Sequence, residues 1–102
     1  MSQYEAIRTE FHDLQRSEEL TEIRINTIEV VDNGHSITGA NLPGGLNGVC
    51  IYWRKNDNTR ICEEAFMGGA VDGCARYFNR DGELVGEDYY DQGGVTQTRV
   101  FK

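Results

Sequence analysis

The residues best suited to chemistry are three cysteines, Cys50, Cys62 and Cys74, spaced twelve apart, and two histidines, His12 and His35. Thiolates bind zinc and attack electrophiles. Tetrahedral zinc takes four ligands, usually with C-x-x-C pairs, and the chain supplies neither. A nucleophilic thiol needs a neighbour that lowers its pKa, such as a histidine or a helix N-terminus. His12 falls on a predicted helix and His35 in an Asn33-Gly34 turn, and sequence ties neither to a cysteine. The cysteines therefore read as small buried hydrophobes. They are expected to be reduced, because disulfide scaffolds carry denser and even-numbered sets. A small enzyme using the cysteines or His35 is the rival reading, and no metal or cofactor is expected.

Other catalytic and binding templates fail on spacing. Gly34-His-Ser36-Ile-Thr-Gly39 has one residue too many for a nucleophile elbow and lacks the strand-to-helix context. Pro43-Gly44-Gly45-Leu-Asn-Gly48 has no Lys-Ser/Thr and precedes a strand, so no helix dipole faces an anion. Asn79-Arg-Asp81-Gly82-Glu83 resembles a calcium loop, but its glycine comes too early and Arg80 intrudes. Each is better read as a turn.

Charge and aromatic content are more informative. Asp81, Glu83, Glu87, Asp88 and Asp91 lie in a stretch from Asp81 to Gln97 without Lys or Arg, and Glu63 and Glu64 precede them one repeat earlier. Stacked like charges cost stability, so an acidic face is expected to be neutralised by a basic partner. Tyr52-Trp53, Tyr77-Phe78 and Tyr89-Tyr90 are adjacent pairs. Consecutive strand residues point to opposite faces, so one ring of each pair lies away from the core that the other serves. Trp53 and Tyr89, with the seven acids, form the expected contact set.

These residues sit in a chain of 102, enough for one domain spanning 1–102 and too short for a two-domain enzyme. Net charge is -7, which argues against direct nucleic-acid binding. The sequence has no apolar stretch of membrane-spanning length, and its first residues lack the features of a secretory signal. A cytoplasmic protein is expected.

The elements that must position the site begin with a helix. Ser2 and Glu5 form a capping pattern, and Tyr4, Ile7, Phe11 and Leu14 share one helical face over residues 3–16. From Thr21 the residues turn β-branched, with a bulge or corner near Asn26. Asn33-Gly34 predicts a hairpin, and Pro43-Gly44-Gly45, Asn56-Asp57-Asn58, Gly68-Gly69, Arg80-Asp81-Gly82 and Gly93-Gly94 predict further turns. Val95–Phe101 reads as a last strand. The rhythm repeats: Gly34, Asn58 and Gly82 lie 24 apart, as do Ile37, Ile61 and Val85, and Leu42, Phe66 and Tyr90. A hairpin unit cannot bury its apolar face alone, so the units must stack, and the helix is a natural cover. The predicted fold is α+β, an N-terminal amphipathic helix on a meandering antiparallel sheet of repeated hairpins over about 21–101.

The unit Gly73-x-x-x-Tyr77-Phe78-x-x-x-Gly82-x-x-x-x-Glu87-x-x-Tyr90-x-x-Gly93 resembles a MORN-type repeat, in particular the short variety of the YwqK-like antitoxin family. The resemblance covers roughly residues 28 to 94. It departs from the pattern at Asn58 and Leu42, and residues 1–27 lie outside it. It implies an elongated sheet of stacked hairpins acting as a protein-binding module, in bacteria sometimes as an antitoxin or immunity protein. The expected function is a non-catalytic inhibitor that covers a target protein with a basic functional surface. A phage-encoded anti-defence inhibitor, resembling an anti-CRISPR and mimicking nucleic acid, is the alternative, and a structural repeat that self-associates into a homodimer through strand 95–101 is a further one.

Overall fold

The helix forms where the apolar spacing places it. The computed structural model of the chain describes residues 1–25, 29–32, 35–38, 48–67, 70–91 and 94–102, and in it α1 spans Gln3–Arg16. The Ser2 hydroxyl accepts from the Glu5 N–H at 3.1 Å, satisfying one of the donors that a helix start leaves unpaired. Its far end carries no glycine signal. The chain leaves the helix at Glu18, whose φ of 59° is left-handed. The Glu19 N–H donates to the Leu14 carbonyl at 2.9 Å and the Glu18 N–H to that of Gln15 at 3.4 Å, a double closure that usually places glycine where Glu18 stands. Glu18→Gly removes the side-chain strain and is expected to raise stability by about 0.5 kcal/mol, read from the urea midpoint.

The strands are β1 (Leu20–Ile25), β2 (Glu29–Asp32), β3 (His35–Thr38), β4 (Gly48–Arg54), β5 (Arg60–Met67), β6 (Ala70–Phe78), β7 (Leu84–Asp91) and β8 (Gly94–Val100). Six form one antiparallel sheet in the order β1-β4-β5-β6-β7-β8, and β2 pairs with β3 as a second sheet. The α+β expectation therefore holds, and from β4 onward the chain meanders. Asp32 faces His35 across the β2–β3 pair, as an Asn33-Gly34 hairpin requires, although those two turn residues lie outside the described residues. So do the expected corner at Asn26 and the turns at Pro43-Gly44-Gly45 and Gly68-Gly69. None of the described helices is long and apolar enough to cross a membrane.

The β4–β5 and β6–β7 hairpins agree at several places 24 or 25 residues apart. Asn58 has φ 58° and Gly82 has φ 82° at the two turns, while Gly48 (144°) and Gly73 (97°) open the two hairpins. Tyr52 faces Cys62 and Tyr77 faces Gly86, and in both hairpins the register shifts directly after the tyrosine.

The core lies between α1 and one face of the sheet. Phe11 meets Tyr52 edge-on at 5.0 Å and Tyr77 at 6.0 Å, and Tyr4 meets Tyr77 at 5.7 Å. Ile61, Cys62, Ala75 and Val85 are fully buried with them. A few large rings thus give a lean chain its buried apolar area. Gly86 makes room for this packing, since a Cβ there would come within 2.3 Å of Tyr4 Cδ1.

Candidate functional site

Strand alternation divides the sheet residues into two sets. The row Tyr52, Cys62, Tyr77 and Gly86 and the next row, Cys50, Glu64, Ala75, Asp88 and Thr98, face α1. Two buried charges on this side clamp the helix. Asp88 accepts from the hydroxyls of Tyr4, of Tyr77 at 3.2 Å and of Thr98 at 2.8 Å, and pairs with Arg8 of α1 at 3.2 Å. Arg54 donates to Glu10 of α1 at 2.9 Å, to the Thr59 hydroxyl at 2.9 Å, and to the carbonyls of Arg60 and Phe78 at 3.1 and 3.2 Å. Both side chains have zero exposure. Burial and the bond to Asp88 push the Tyr4 hydroxyl up, so it stays a donor at neutral pH. Arg80 adds a third tie, bridging Glu10 and Asp57 at 2.7 Å each, and the bonds from Thr59 and Arg80 lower Asp57 to about 2.

Between those two rows lies one that points the other way, with one residue from each strand of the six-stranded sheet: Ile23, Ile51, Glu63, Arg76, Glu87 and Arg99. Across its last four strands the charges alternate. Glu87 pairs with Arg76 at 3.0 Å and accepts from the Tyr89 hydroxyl at 3.2 Å, and Glu63 pairs with Arg60 at 2.6 Å. Trp53, Phe78, Cys74 and Tyr89 share this face, Arg60 lying 4.2 Å over the Phe78 ring and Arg99 5.9 Å over that of Tyr89. Of the described elements outside the sheet, α1 makes the repeated contacts with it, on the other face, and here Ile23 stays half exposed.

This placement corrects the expected acidic face. Asp88 and Glu64 point to the helix side and are buried, so neither is a surface contact. Glu87 is on the opposite face but is largely buried against Arg76, and Glu63 is matched by Arg60. The reason is register: β6 and β8 carry Arg76 and Arg99 into the row of the acids, so a block of one sign along the chain becomes an alternation in space. Glu83 pairs with Lys102 beyond the sheet, while Asp81 is exposed in the β6–β7 turn and Asp91 at the end of β7. The aromatic pairs divide as alternation requires, Tyr52, Tyr77 and Tyr90 toward the helix, Trp53, Phe78 and Tyr89 away from it.

Sequence reasoning missed Arg54, Arg76 and Arg99. The available signal was their spacing, since Arg76 and Arg99 fall within alternate strands, as Glu63 and Glu87 do.

Comparison of the chain with protein-family models, curated proteins and solved structures finds no match. The function must come from the geometry.

The cysteines are free thiols, Cys50 and Cys62 buried and Cys74 partly so. Burial pushes the Cys62 thiol well up, with Glu64 adding to the effect, so the nucleophilic thiolate is disfavoured. Cys50 donates to Glu22 at 3.3 Å. Burial lowers His12, and the cations Arg8 and Arg16 lower it further. Among the described residues no three His, Cys, Asp or Glu side chains gather as a metal site.

Glu64 supplies a pH test. Burial raises its carboxyl, the hydrogen bond with Tyr52 lowers it, and Glu22 raises it again, with a net shift upward. The folded chain therefore holds a proton that the unfolded chain releases near pH ~4.3. Stability from this group is fully present below that pH and is lost as pH rises through the raised folded value. Glu64→Gln is expected to raise the melting midpoint at pH 7 and leave it nearly unchanged at pH 4, measured by thermal unfolding at both.

Proposed function

We propose that the protein is a non-catalytic binding protein that neutralises a target protein by covering it, as antitoxin and immunity proteins do, and that it binds through the sheet face opposite α1. One observation carries this reading. The face without a packed helix carries Trp53, Arg76, Tyr89 and Arg99 along a row that begins with Ile23 and Ile51, and tryptophan, tyrosine and arginine are the residue types that dominate binding energy at protein interfaces. The matched charges favour geometric recognition, because each guanidinium is already held by a carboxylate or a ring. The net charge of -7 acts at longer range and steers a basic target toward the molecule.

The equivalent turns, glycines and register shifts of the β4–β5 and β6–β7 hairpins support reading them as two copies of one MORN-type unit. Such copies put Trp53 on β4 and Phe78 on β6 of one face, with β5 between them, and Glu63 and Glu87 in one row. Duplication would thus build the binding face together with the sheet.

The test is affinity for the target. A Tyr89→Ala/Arg99→Glu variant is expected to bind at least about 100-fold more weakly, since two anchors of this face are lost, while Arg16→Glu on the exposed side of α1 leaves affinity within about twofold. Equal losses in both variants, or none in the first, would remove the support for this face.

A further inference from the structure

We propose that, when no foreign partner is bound, the face opposite α1 pairs with the same face of a second copy, the two sheets stacked about a two-fold axis parallel to the strands and running between β6 and β7. This inference rests on the reading of that face as the binding surface. What carries it is the order of charge along the row: Glu63, Arg76, Glu87 and Arg99 sit directly opposite one another on β5, β6, β7 and β8, as negative, positive, negative, positive.

In a two-fold contact, residue i of one copy meets residue j of the other and j meets i. Rotation about the stated axis reverses the order of the strands. Arg76 then lies over Glu87 of the second copy, and Glu63 over Arg99, so each charge meets its opposite. The other in-plane axis, along the row, would set every charge over its own duplicate, which Coulomb repulsion disfavours. The flanking rows agree with the first axis. Phe78, opposite Leu84 within the chain, comes over Leu84 of the second copy, and Cys74, opposite Tyr89, comes over that tyrosine. An order that inverts its sign about its own midpoint is what self-recognition needs.

The size of the contact sets its strength. Four overlapping strands, ~4.8 Å apart and about seven residues long at ~3.4 Å each, bury roughly 450 Å² per copy and roughly 900 Å² in all. That lies below the range of stable complexes, about 1,200–2,000 Å², and corresponds to a weak assembly that a tighter partner displaces. Self-pairing would then shield Tyr89, Arg76 and Arg99 until the target arrives, while Trp53 on β4 stays outside the overlap.

Sedimentation velocity on the full chain tests this from about 1 µM to about 500 µM, spanning the affinities expected of a small interface. A concentration-dependent monomer–dimer equilibrium is expected, weakened at least about tenfold on going from about 20 mM to about 500 mM salt, as screening of cross-copy charge pairs requires. Arg76→Glu abolishes the dimer by placing two carboxylates together. Arg76→Glu/Glu87→Arg restores it, because the row then reads negative, negative, positive, positive and still inverts about its midpoint. Arg99→Glu, at an exposed edge-strand position, provides a second reversal if the first variant fails to fold, and Glu63→Arg is its rescue partner. A monomer at every concentration, or a dimer indifferent to both reversals, overturns the self-pairing. Either result leaves the binding-face reading to be judged separately by target affinity. Loss of the dimer in each single variant with recovery in its rescue supports the self-pairing.

Discussion

Asp88→Ala is expected to destabilise the protein by about 3–5 kcal/mol and to loosen α1 from the sheet. Asp88 has zero exposure and serves Tyr4, Tyr77, Thr98 and Arg8 at once, two of them on the helix and two on the sheet. Its removal leaves three hydroxyls and a guanidinium without their acceptor, and unpaired buried polar groups cost more than the bonds themselves are worth. Asp88→Asn keeps the volume but replaces one acceptor oxygen with a donor facing hydroxyls, so it should recover only part of the loss. Urea unfolding gives the free energies, and near-ultraviolet circular dichroism reports the packing of Tyr4 against Tyr77. If Asp88→Ala cost less than about 1 kcal/mol, Asp88 would not be the clamp described.

Arg54→Met is expected to cost about 3 kcal/mol at nearly constant volume. Arg54 is the largest fully buried side chain among the described residues, and it feeds hydrogens to Glu10, to Thr59 and to two carbonyls on different hairpins. Methionine fills the space and donates nothing, so the Arg60 and Phe78 carbonyls lose their donor and Glu10 keeps only Arg80. The loss should be smaller than for Asp88→Ala, because Glu10 is partly exposed and can turn to water. A double variant, Arg54→Met/Glu10→Gln, removes the stranded carboxylate and should recover about 1 kcal/mol in a double-mutant cycle. Additivity of the two single changes would show that the pair does not act as a unit.

Much of the fold could be read from local patterns. Ser2, Glu5 and the Tyr4-Ile7-Phe11-Leu14 stripe defined the helix because capping and helical periodicity depend only on near neighbours. The turns at Asn58 and Gly82 were equally legible, since left-handed backbone selects those residue types. The end of α1 carried no such sign, because Glu18 takes a conformation its type does not favour.

The site was less legible for a different reason. Which acids share a face, and which cations stand beside them, depends on strand register, and register is a property of pairs of strands. Glu63 and Glu64 look alike in the chain, yet one meets Arg60 on the outer face and the other lies beneath the helix side. Arg76 drew no attention as a single basic residue, but β6 delivers it between Glu63 and Glu87. Residue types alone suggested an acidic surface, and pairing turned it into a neutral, alternating one.

Site-specific photo-crosslinking addresses the central claim most directly. A photoreactive residue at Ile23, at Gln97 or in place of Tyr89 lies on or beside the face opposite α1, whereas one at Thr9 lies on the exposed side of the helix. Irradiation in the presence of the neutralised target should join that target to the first three positions and not to Thr9. Adducts from Thr9 alone would place recognition on the helix and contradict the account.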